Sequence, residues 1–141
     1  MDLIPDGSDE VRLPVIRNMI LCEDVVADPD NHRRISLIGL LSAIHSTGEI
    51  PYPLLYREIC VYVQMTECTG AGDFGVQTYQ ADTGDLVFET KTYQHHFSTD
   101  PLELHGIVSR MKNCRFSEPG PYWFEFCYDG SVEAWCSLVM R

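Results

Sequence analysis

The C-terminal segment Phe116–Met140 constrains the fold more than any other part of the chain, because it has the pattern of a β-hairpin. The breaker Pro119-Gly120-Pro121 precedes one apolar alternation, and Asp129-Gly130 separates it from a second. Each set shares one face of its strand: Tyr122, Phe124, Phe126 and Tyr128 in the first, and Val132, Ala134, Cys136, Leu138 and Met140 in the second. The segment therefore predicts two strands that close an all-β domain.

The length of the connecting loop decides whether these two apolar sets face each other. They do so only across a loop with an odd number of residues, because a two-residue Asp-Gly turn would place Tyr122 opposite Ser137. We therefore expect a three-residue loop in which Gly130 adopts the left-handed conformation.

The rest of the chain alternates between strand patterns and turn signals, without sustained helical periodicity. The predicted strands are Val15–Val26, Ile35–Ile44, Tyr56–Cys68, Phe74–Ala81, Leu86–Tyr93 and Leu102–Phe116. Ile35–Ile44 fits either a central strand or a buried helix, and Gly39 together with the β-branched residues favours the strand. We predict an all-β fold, namely an antiparallel two-sheet immunoglobulin-like sandwich of seven or eight strands.

The segment Glu118–Phe124 has the spacing of the tyrosine corner of immunoglobulin-like domains, with Gly120 and Tyr122 at the expected positions. In that motif the tyrosine hydroxyl bonds to backbone a few residues upstream. Tyr122 either makes this bond or is simply an aromatic residue of the sheet. Phe124 stands where antibody domains have a cysteine, so an inter-sheet disulfide is not expected.

Length and charge restrict the organisation of the chain and its partners. We expect a flexible acidic tail over residues 1–14 and a single β-sandwich domain over residues 15–141, because 141 residues suffice for one hydrophobic core. The net charge of −11 argues against nucleic acid and against an anionic membrane surface as partners. A protein partner or a homo-oligomer is compatible with it.

The N-terminal residues and the cysteines bear on the compartment. The acidic start of the chain lacks the pattern of a signal peptide, and no apolar run approaches the ~20 residues of a membrane span, which predicts a cytoplasmic protein. The six cysteines contain no Cys-x-x-Cys pair and are expected to be free thiols: Cys22, Cys60, Cys68, Cys114, Cys127 and Cys136.

Several short motifs occur in a recognisable order. They are Leu21-Cys-Glu-Asp-Val25, Arg34-Ile-Ser-Leu-Ile-Gly-Leu40, Pro51-Tyr-Pro53, Asp82-Thr-Gly-Asp-Leu86, Phe116-Ser-Glu-Pro-Gly-Pro-Tyr-Trp-Phe124 and Tyr128-Asp-Gly130. Over residues 15 to 141 the chain resembles an uncharacterised bacterial family of small proteins known only as a domain of unknown function. It departs from that family at Arg33-Arg34, where glycine and lysine are usual, and in its long acidic N-terminus. The resemblance implies a β-sandwich and brings no activity or catalytic residues.

Histidines offer one candidate site. If the loop after Tyr93 is centred near Asp100, His95 and His105 fall opposite each other on adjacent strands, with Cβ atoms ~5 Å apart. Such a pair could share a metal ion, although spacing names no third ligand. His96 would point to the other face.

Other chemistry has weaker support in the sequence. Asp28, Asp30 and Asn31 in one loop and Asp82 and Asp85 in another could bind calcium, but both runs are also ordinary turn sequences. The chain has no Gly-x-Ser-x-Gly element and no glycine loop followed by lysine. We therefore expect no cofactor and lean against an enzyme.

Aromatic residues offer the other candidate site. Trp123 and Trp135 have the parity opposite to the two apolar sets, so we expect them on the outer face of the hairpin, and Tyr52 and Tyr56 are also candidates for outer faces. Exposed tryptophans often mark a contact surface, although they could instead pack under a loop. The leading hypothesis is a non-enzymatic interaction module that uses Trp123 and Trp135; the alternative is a metal- or ligand-binding protein that uses His95 and His105.

Overall fold

The computed structural model describes residues 14–32, 34–45, 52–97 and 99–141, and these residues form ten strands and no helix. The strands are β1 (Val15–Ala27), β2 (Ile35–Leu40), β3 (Ala43–Ile44), β4 (Leu54–Thr66), β5 (Ala71–Gln80), β6 (Leu86–Glu89), β7 (Tyr93–His96), β8 (His105–Phe116), β9 (Gly120–Tyr128) and β10 (Ser131–Met140). Within the described ranges, therefore, no helix is long and apolar enough to cross a membrane.

The strands form two sheets that enclose the core. One is a four-stranded sheet in the order β2-β1-β4-β8, and the other is a six-stranded sheet in the order β3-β10-β9-β5-β6, with β7 also paired to β5. The prediction of an all-β, two-sheet architecture is confirmed. The prediction that it is wholly antiparallel is wrong, because β3 runs parallel to β10, with Ala43 opposite Val139 and Ile44 opposite Met140.

Two strands, one in each sheet, contribute a row of four buried residues each to the core between the sheets. In β4 of the four-stranded sheet, the alternating residues Ile59, Val61, Val63 and Met65 are almost fully buried, as their spacing predicts. In β9 of the six-stranded sheet, Tyr122, Phe124, Phe126 and Tyr128 are fully buried on the facing side. Alternation places every second side chain of a strand on one face, so each strand buries one apolar row.

The C-terminal hairpin has the expected register from Ala134 onward, but a shorter turn and a bulge produce it. Asp129 and Gly130 form a two-residue turn with positive φ angles of 48° and 83°, so the predicted three-residue loop is wrong. A β-bulge between Val132 and Ala134 supplies the missing register shift, because it opposes two residues of β10 to Cys127 of β9. Beyond the bulge, Ala134, Cys136, Leu138 and Met140 face the core side, whereas Val132 is exposed.

The count of ten strands exceeds seven or eight because two predicted strands divide. Ile35–Ile44 is extended, as predicted, but it is not a central strand: β2 lies at the edge of the four-stranded sheet and β3 at the edge of the six-stranded sheet. Gly39, with φ of 66°, packs against Glu23 where β2 ends. The stretch predicted as Leu86–Tyr93 likewise divides into β6 and the beginning of β7, both of which pair with β5.

The hydroxyl group of Tyr122 settles the choice left by the Glu118–Phe124 spacing. It donates a hydrogen bond of 2.7 Å to the Glu118 carbonyl oxygen and accepts one of 3.3 Å from the Glu118 amide. Both bonds reach back four residues, as the tyrosine-corner spacing predicts. This pair of bonds fixes the entry of the chain into β9.

Some predictions fall outside the described residues, namely those on residues 1–13 of the acidic tail, on Arg33 and on Pro51. All six cysteines lie within the described ranges, and all six are free thiols, as predicted.

Candidate functional site

Trp123 and Trp135 lie on the outer face of the six-stranded sheet, where their parity places them. Trp123 pairs with Ser137 and Trp135 with Glu125, so the two indoles are diagonal neighbours on β9 and β10. Trp123 is 44% exposed and Trp135 is 61% exposed. Their ring centroids are 5.4 Å apart with an interplanar angle of 39°. The bulge in β10 makes this arrangement possible, because it turns Trp135 outward.

Two further side chains extend this surface across the sheet. Tyr79 of β5 pairs with Trp123 on one side and with Leu86 of β6 on the other. Leu86 is exposed, and the half-buried Tyr79 donates a hydrogen bond of 2.9 Å to Oε1 of Gln77. Tyr79, Leu86, Trp123 and Trp135 together form what we call the aromatic face. Alternation could have found Tyr79, because the apolar residues Phe74 and Val76 set the buried parity of β5 and Tyr79 has the opposite parity.

Carboxylates flank the aromatic face. The row beside it runs from Trp135 through Glu125 and Gln77 to Glu89 on four adjacent strands. Glu125 is directly opposite Trp135 and lies within side-chain reach of its indole, whereas Glu89 lies three strands away from Trp135. The face therefore combines exposed aromatic rings with negative charge.

The other aromatic candidates lie elsewhere. Tyr52 and Tyr56 are partly buried and pack against the main core, so their assignment to an outer face is wrong. The Tyr52 hydroxyl donates a hydrogen bond of 3.1 Å to the carbonyl oxygen of Arg141.

His95 and His105 come together, but across the sandwich rather than along one sheet. His95 lies on β7, which pairs with β5, whereas His105 begins β8, which pairs with β4. The predicted placement on adjacent strands is therefore wrong. The two rings nevertheless approach to 5.6 Å between centroids, nearly perpendicular at 82°. Sequence spacing could not anticipate this, because it arises from the packing of one sheet on the other.

Phe97 contacts both histidines and completes a partly buried cluster. Its ring centroid is 4.6 Å from that of His95, 5.0 Å from that of His105 and 5.9 Å from that of Tyr128. Nε2 of each histidine and the Tyr128 hydroxyl are buried without a hydrogen-bond partner among the described residues. We call His95, Phe97, His105 and Tyr128 the histidine cluster. Buried polar atoms ordinarily have partners, so these three atoms are exceptions in this core.

The protonation of His95 follows from its position. Burial, with smaller contributions from His105 and then His96, lowers the pKa of His95 below its ordinary value. A neutral imidazole is the form that binds metal ions. Among the described residues, however, no group of three or more His, Cys, Asp or Glu side chains is placed to hold a metal ion. The cluster thus offers two nitrogen donors.

In the aspartate loop proposed for calcium, Oδ1 of Asp28 accepts a 2.8 Å hydrogen bond from the Asp30 amide, which is ordinary turn geometry.

A charged group that the sequence did not indicate lies on the outer face of the four-stranded sheet. Nη1 of Arg110 lies 2.8 Å from Oδ1 of Asp24 and 3.3 Å from Sγ of Cys60, and Nη2 donates a 2.8 Å bond to the Val25 carbonyl oxygen. Arg110 holds the pKa of Asp24 below its usual value. Burial nevertheless raises the pKa of the Cys60 thiol. This group ties β8 to β1 across β4 and contains no activated nucleophile.

Comparison with known proteins identifies the family. No curated protein matches the chain. The model of a family described as a family of unknown function (DUF6941) matches residues 17–141, close to the range over which the motifs resemble such a family. Because this match covers most of the chain, the protein belongs to that family of unknown function.

Proposed function

We propose that the protein is a non-enzymatic interaction module that binds a partner protein through the aromatic face. The observation that carries this proposal is the exposure of Trp123 and Trp135 side by side on the paired strands β9 and β10. Tryptophan and tyrosine are enriched at protein interfaces and dominate their binding energy, because they remove large apolar areas from water. The paired strands hold the two rings in place before binding, which reduces the entropy lost on association.

The charge of the face favours a partner with basic side chains over a second copy of the chain. Glu125 lies opposite Trp135, and the whole chain carries a net charge of −11. Two such faces would repel each other, whereas an arginine or lysine can stack on an indole and pair with a neighbouring carboxylate. The same charge disfavours nucleic acid and anionic membranes as partners.

The two tryptophans of the chain provide a direct test, because both lie on the aromatic face. Partners captured by the wild-type protein would be identified, purified and titrated while tryptophan emission is recorded. We expect a blue shift on binding, and a loss of affinity of at least about tenfold for Trp135→Ala. The double variant Leu40→Ala/Leu55→Ala removes two equally exposed side chains elsewhere and serves as the control. Equal binding by Trp135→Ala and wild type would contradict the proposal, and a stable wild-type dimer broken by Trp135→Ala would identify a second copy as the occupant.

A second candidate function is the binding of a metal ion or small ligand in the histidine cluster. The buried, unpartnered Nε2 atoms of His95 and His105 favour it. Native mass spectrometry of the reduced protein after incubation with zinc should show a stoichiometric adduct that His105→Ala abolishes. Substitution of the exposed His32 by alanine should leave the adduct unchanged. A bare protein mass in all three samples would exclude zinc as the ligand.

Strand order supports a further proposal, that the sandwich is immunoglobulin-like. The orders β1-β4-β8 and β10-β9-β5 correspond to A-B-E and G-F-C of immunoglobulin sheets, and Tyr122 begins β9 as the corner tyrosine begins strand F. A crystal structure that superposes these six strands on an immunoglobulin domain in the same chain order would test it.

A cytoplasmic location is likewise proposed, and the six free thiols favour it.

A further inference from the structure

Strand β8 forms the edge of the four-stranded sheet and leaves one side of its backbone open. It is 12 residues long, and within the described ranges it pairs only with β4. Its other edge faces β6 and β7 across the open side of the sandwich. A long edge strand presents a row of unpaired amide and carbonyl groups that can pair with another chain.

Two adjoining cavities turn this edge into a groove. Their volumes are about 410 Å³ and about 360 Å³, and both are lined by Thr90, Tyr93 and Arg110. Along β8 the lining extends from Val108 to Arg115, a length of roughly 26 Å at the rise of a β-strand. We call this feature the β8 groove. None of Tyr79, Leu86, Trp123 and Trp135 lines this groove, and Glu89 alone belongs both to its lining and to the row beside the aromatic face.

The β8 groove is basic although the protein is acidic. Of the 10 lysines and arginines in the chain, four line the groove, namely Lys91, Arg110, Lys112 and Arg115. Glu89 is the single acid of the same lining. Arg110 is already paired with Asp24, whereas Lys91, Lys112 and Arg115 have no ion-pair partner in the part of the chain that the structure describes. The groove thus presents uncompensated positive charge beside an open strand edge.

We propose that the β8 groove binds an extended acidic segment of a partner protein, which adds a strand to β8. Backbone pairing with an edge strand supplies affinity, and alternate side chains of the added strand supply specificity. Side chains beside Ser109 and Met111 would point inward, where Phe74 and Phe88 line the cavities. Side chains beside Arg110 and Lys112 would point outward, among cations. This alternation of β8 holds over residues 107–112 and reverses at Asn113, which has φ of 55°. The segment recognised therefore alternates apolar and acidic residues beside residues 108–112.

Charge also argues against the other occupants of this groove. Pairing of β8 with β8 of a second copy would bring Arg110 and Lys112 close to the same cations of the other chain, which is unfavourable. Residues 1–13 of the chain contain Asp2, Asp6, Asp9 and Glu10, but their acids do not alternate with apolar residues. A partner segment fits both the charge and the alternation of the groove.

A labelled peptide with the sequence (Val-Glu)4 tests the proposal by fluorescence polarisation at low salt. We expect wild-type protein to bind it and Lys112→Ala/Arg115→Ala to bind it about tenfold more weakly. The double variant Arg17→Ala/Arg34→Ala removes the same charge from exposed sites outside the groove, and it should bind within about twofold of wild type. Equal affinity of the two double variants would overturn the proposal.

Two methylated peptides test whether binding occurs by strand addition. Methyl groups on every second amide block one edge of the peptide, so methylation of the valine amides and of the glutamate amides blocks opposite edges. We expect one pattern to abolish binding and the other to preserve it. Equal effects of the two patterns would overturn strand addition.

The remaining occupants are distinguished with the full-length chain. If only the variant Asp2→Asn/Asp6→Asn/Asp9→Asn/Glu10→Gln binds the peptide, the chain's own N-terminal residues occupy the groove, and the proposal is wrong. If the wild-type chain is a dimer and the variant Lys112→Ala/Arg115→Ala is a monomer, the occupant is a second copy, and the proposal is again wrong. Neither result affects the aromatic face, which is tested with different variants.

Discussion

Tyr122 and Tyr128 lie on the same buried face of β9, but of these two hydroxyls only that of Tyr122 has a hydrogen-bond partner among the described residues. The Tyr122 hydroxyl donates to the Glu118 carbonyl oxygen at 2.7 Å. The Tyr128 hydroxyl is buried without a partner among the described residues, and a Cβ atom added at Gly72 would overlap it. Burial, with smaller contributions from Asp129, Cys68 and Asp73, raises the pKa of Tyr128 to about 12. The same substitution should therefore have different effects at the two positions.

Replacement of Tyr122 by phenylalanine should destabilise the fold by about 1–2 kcal/mol, because it removes a buried hydrogen bond and leaves the Glu118 carbonyl oxygen without that donor. Replacement of Tyr128 by phenylalanine should be neutral or stabilising by up to about 1 kcal/mol, because it removes a buried hydroxyl that lacks a partner. Urea unfolding of both variants measures the difference. An equal loss of stability in the two variants would mean that a water or ligand satisfies the Tyr128 hydroxyl.

The pH dependence of stability should report the histidine cluster. The fold lowers the pKa of His95, so in the ordinary histidine range the unfolded chain binds more protons than the folded one. The contribution of neutral His95 is complete above its unfolded pKa of ~6.5 and is lost as the pH falls below it. We expect the free energy of unfolding to decrease between about pH 7 and pH 5, and His95→Gln to flatten that decrease. His32→Gln, at an exposed site, is the control and should leave the slope unchanged.

Thiol reactivity should be low in the folded protein. Burial raises the pKa of Cys68, Cys114 and Cys136 to about 11, so near neutral pH these groups contain little thiolate, the reactive form. Cys127 lies half-buried on the outer side of β9, and we expect iodoacetamide to modify it first. Mass spectrometry before and after unfolding in urea would measure the order of labelling. Early modification of the fully buried Cys22 or Cys60 would instead indicate that β1 and β4 open.

The bulge in β10 predicts an unusual tolerance to deletion. Glu133 is the extra residue of the bulge, so its removal would join Val132 directly to Ala134 and keep all later pairs in register. We expect the variant that lacks Glu133 to remain folded within about 1 kcal/mol of wild type. Deletion of Ser137 instead should cost several kcal/mol, because it moves Leu138 and Met140 off the core face. Thermal unfolding of the two deletion variants would compare them.

Alternation predicted the parts of this fold that depend on a single strand. It identified the buried rows of β4 and β9 and the outward parity of Trp123 and Trp135. It failed where geometry depends on two strands, as in the two-residue turn at Asp129-Gly130 that is compensated by a bulge. Parity requires that the turn and any bulge together contain an odd number of extra residues. It does not show that two of them lie in the turn and one in the bulge.

Sequence patterns do not predict how the two sheets pack on each other. His95 and His105 are neighbours, as their spacing predicts, but they lie in different sheets and not on adjacent strands. No local pattern shows that the chain passes from one sheet to the other between them. The β8 groove likewise depends on which strand ends a sheet. Its basic residues come from Lys91 and from β8, which are separated in sequence and meet only in the folded protein.

The segment Ile35–Ile44 pairs with both sheets within ten residues, through β2 to β1 and through β3 to β10. A force applied at the C-terminus enters the six-stranded sheet through β10. Because β3 runs parallel to β10 at that end, the load is carried as shear along the pair and passes through residues 41 and 42 into the four-stranded sheet. Two residues of main chain therefore join the edge of one layer to the edge of the other, so that a load on one layer is transmitted to the other without a disulfide.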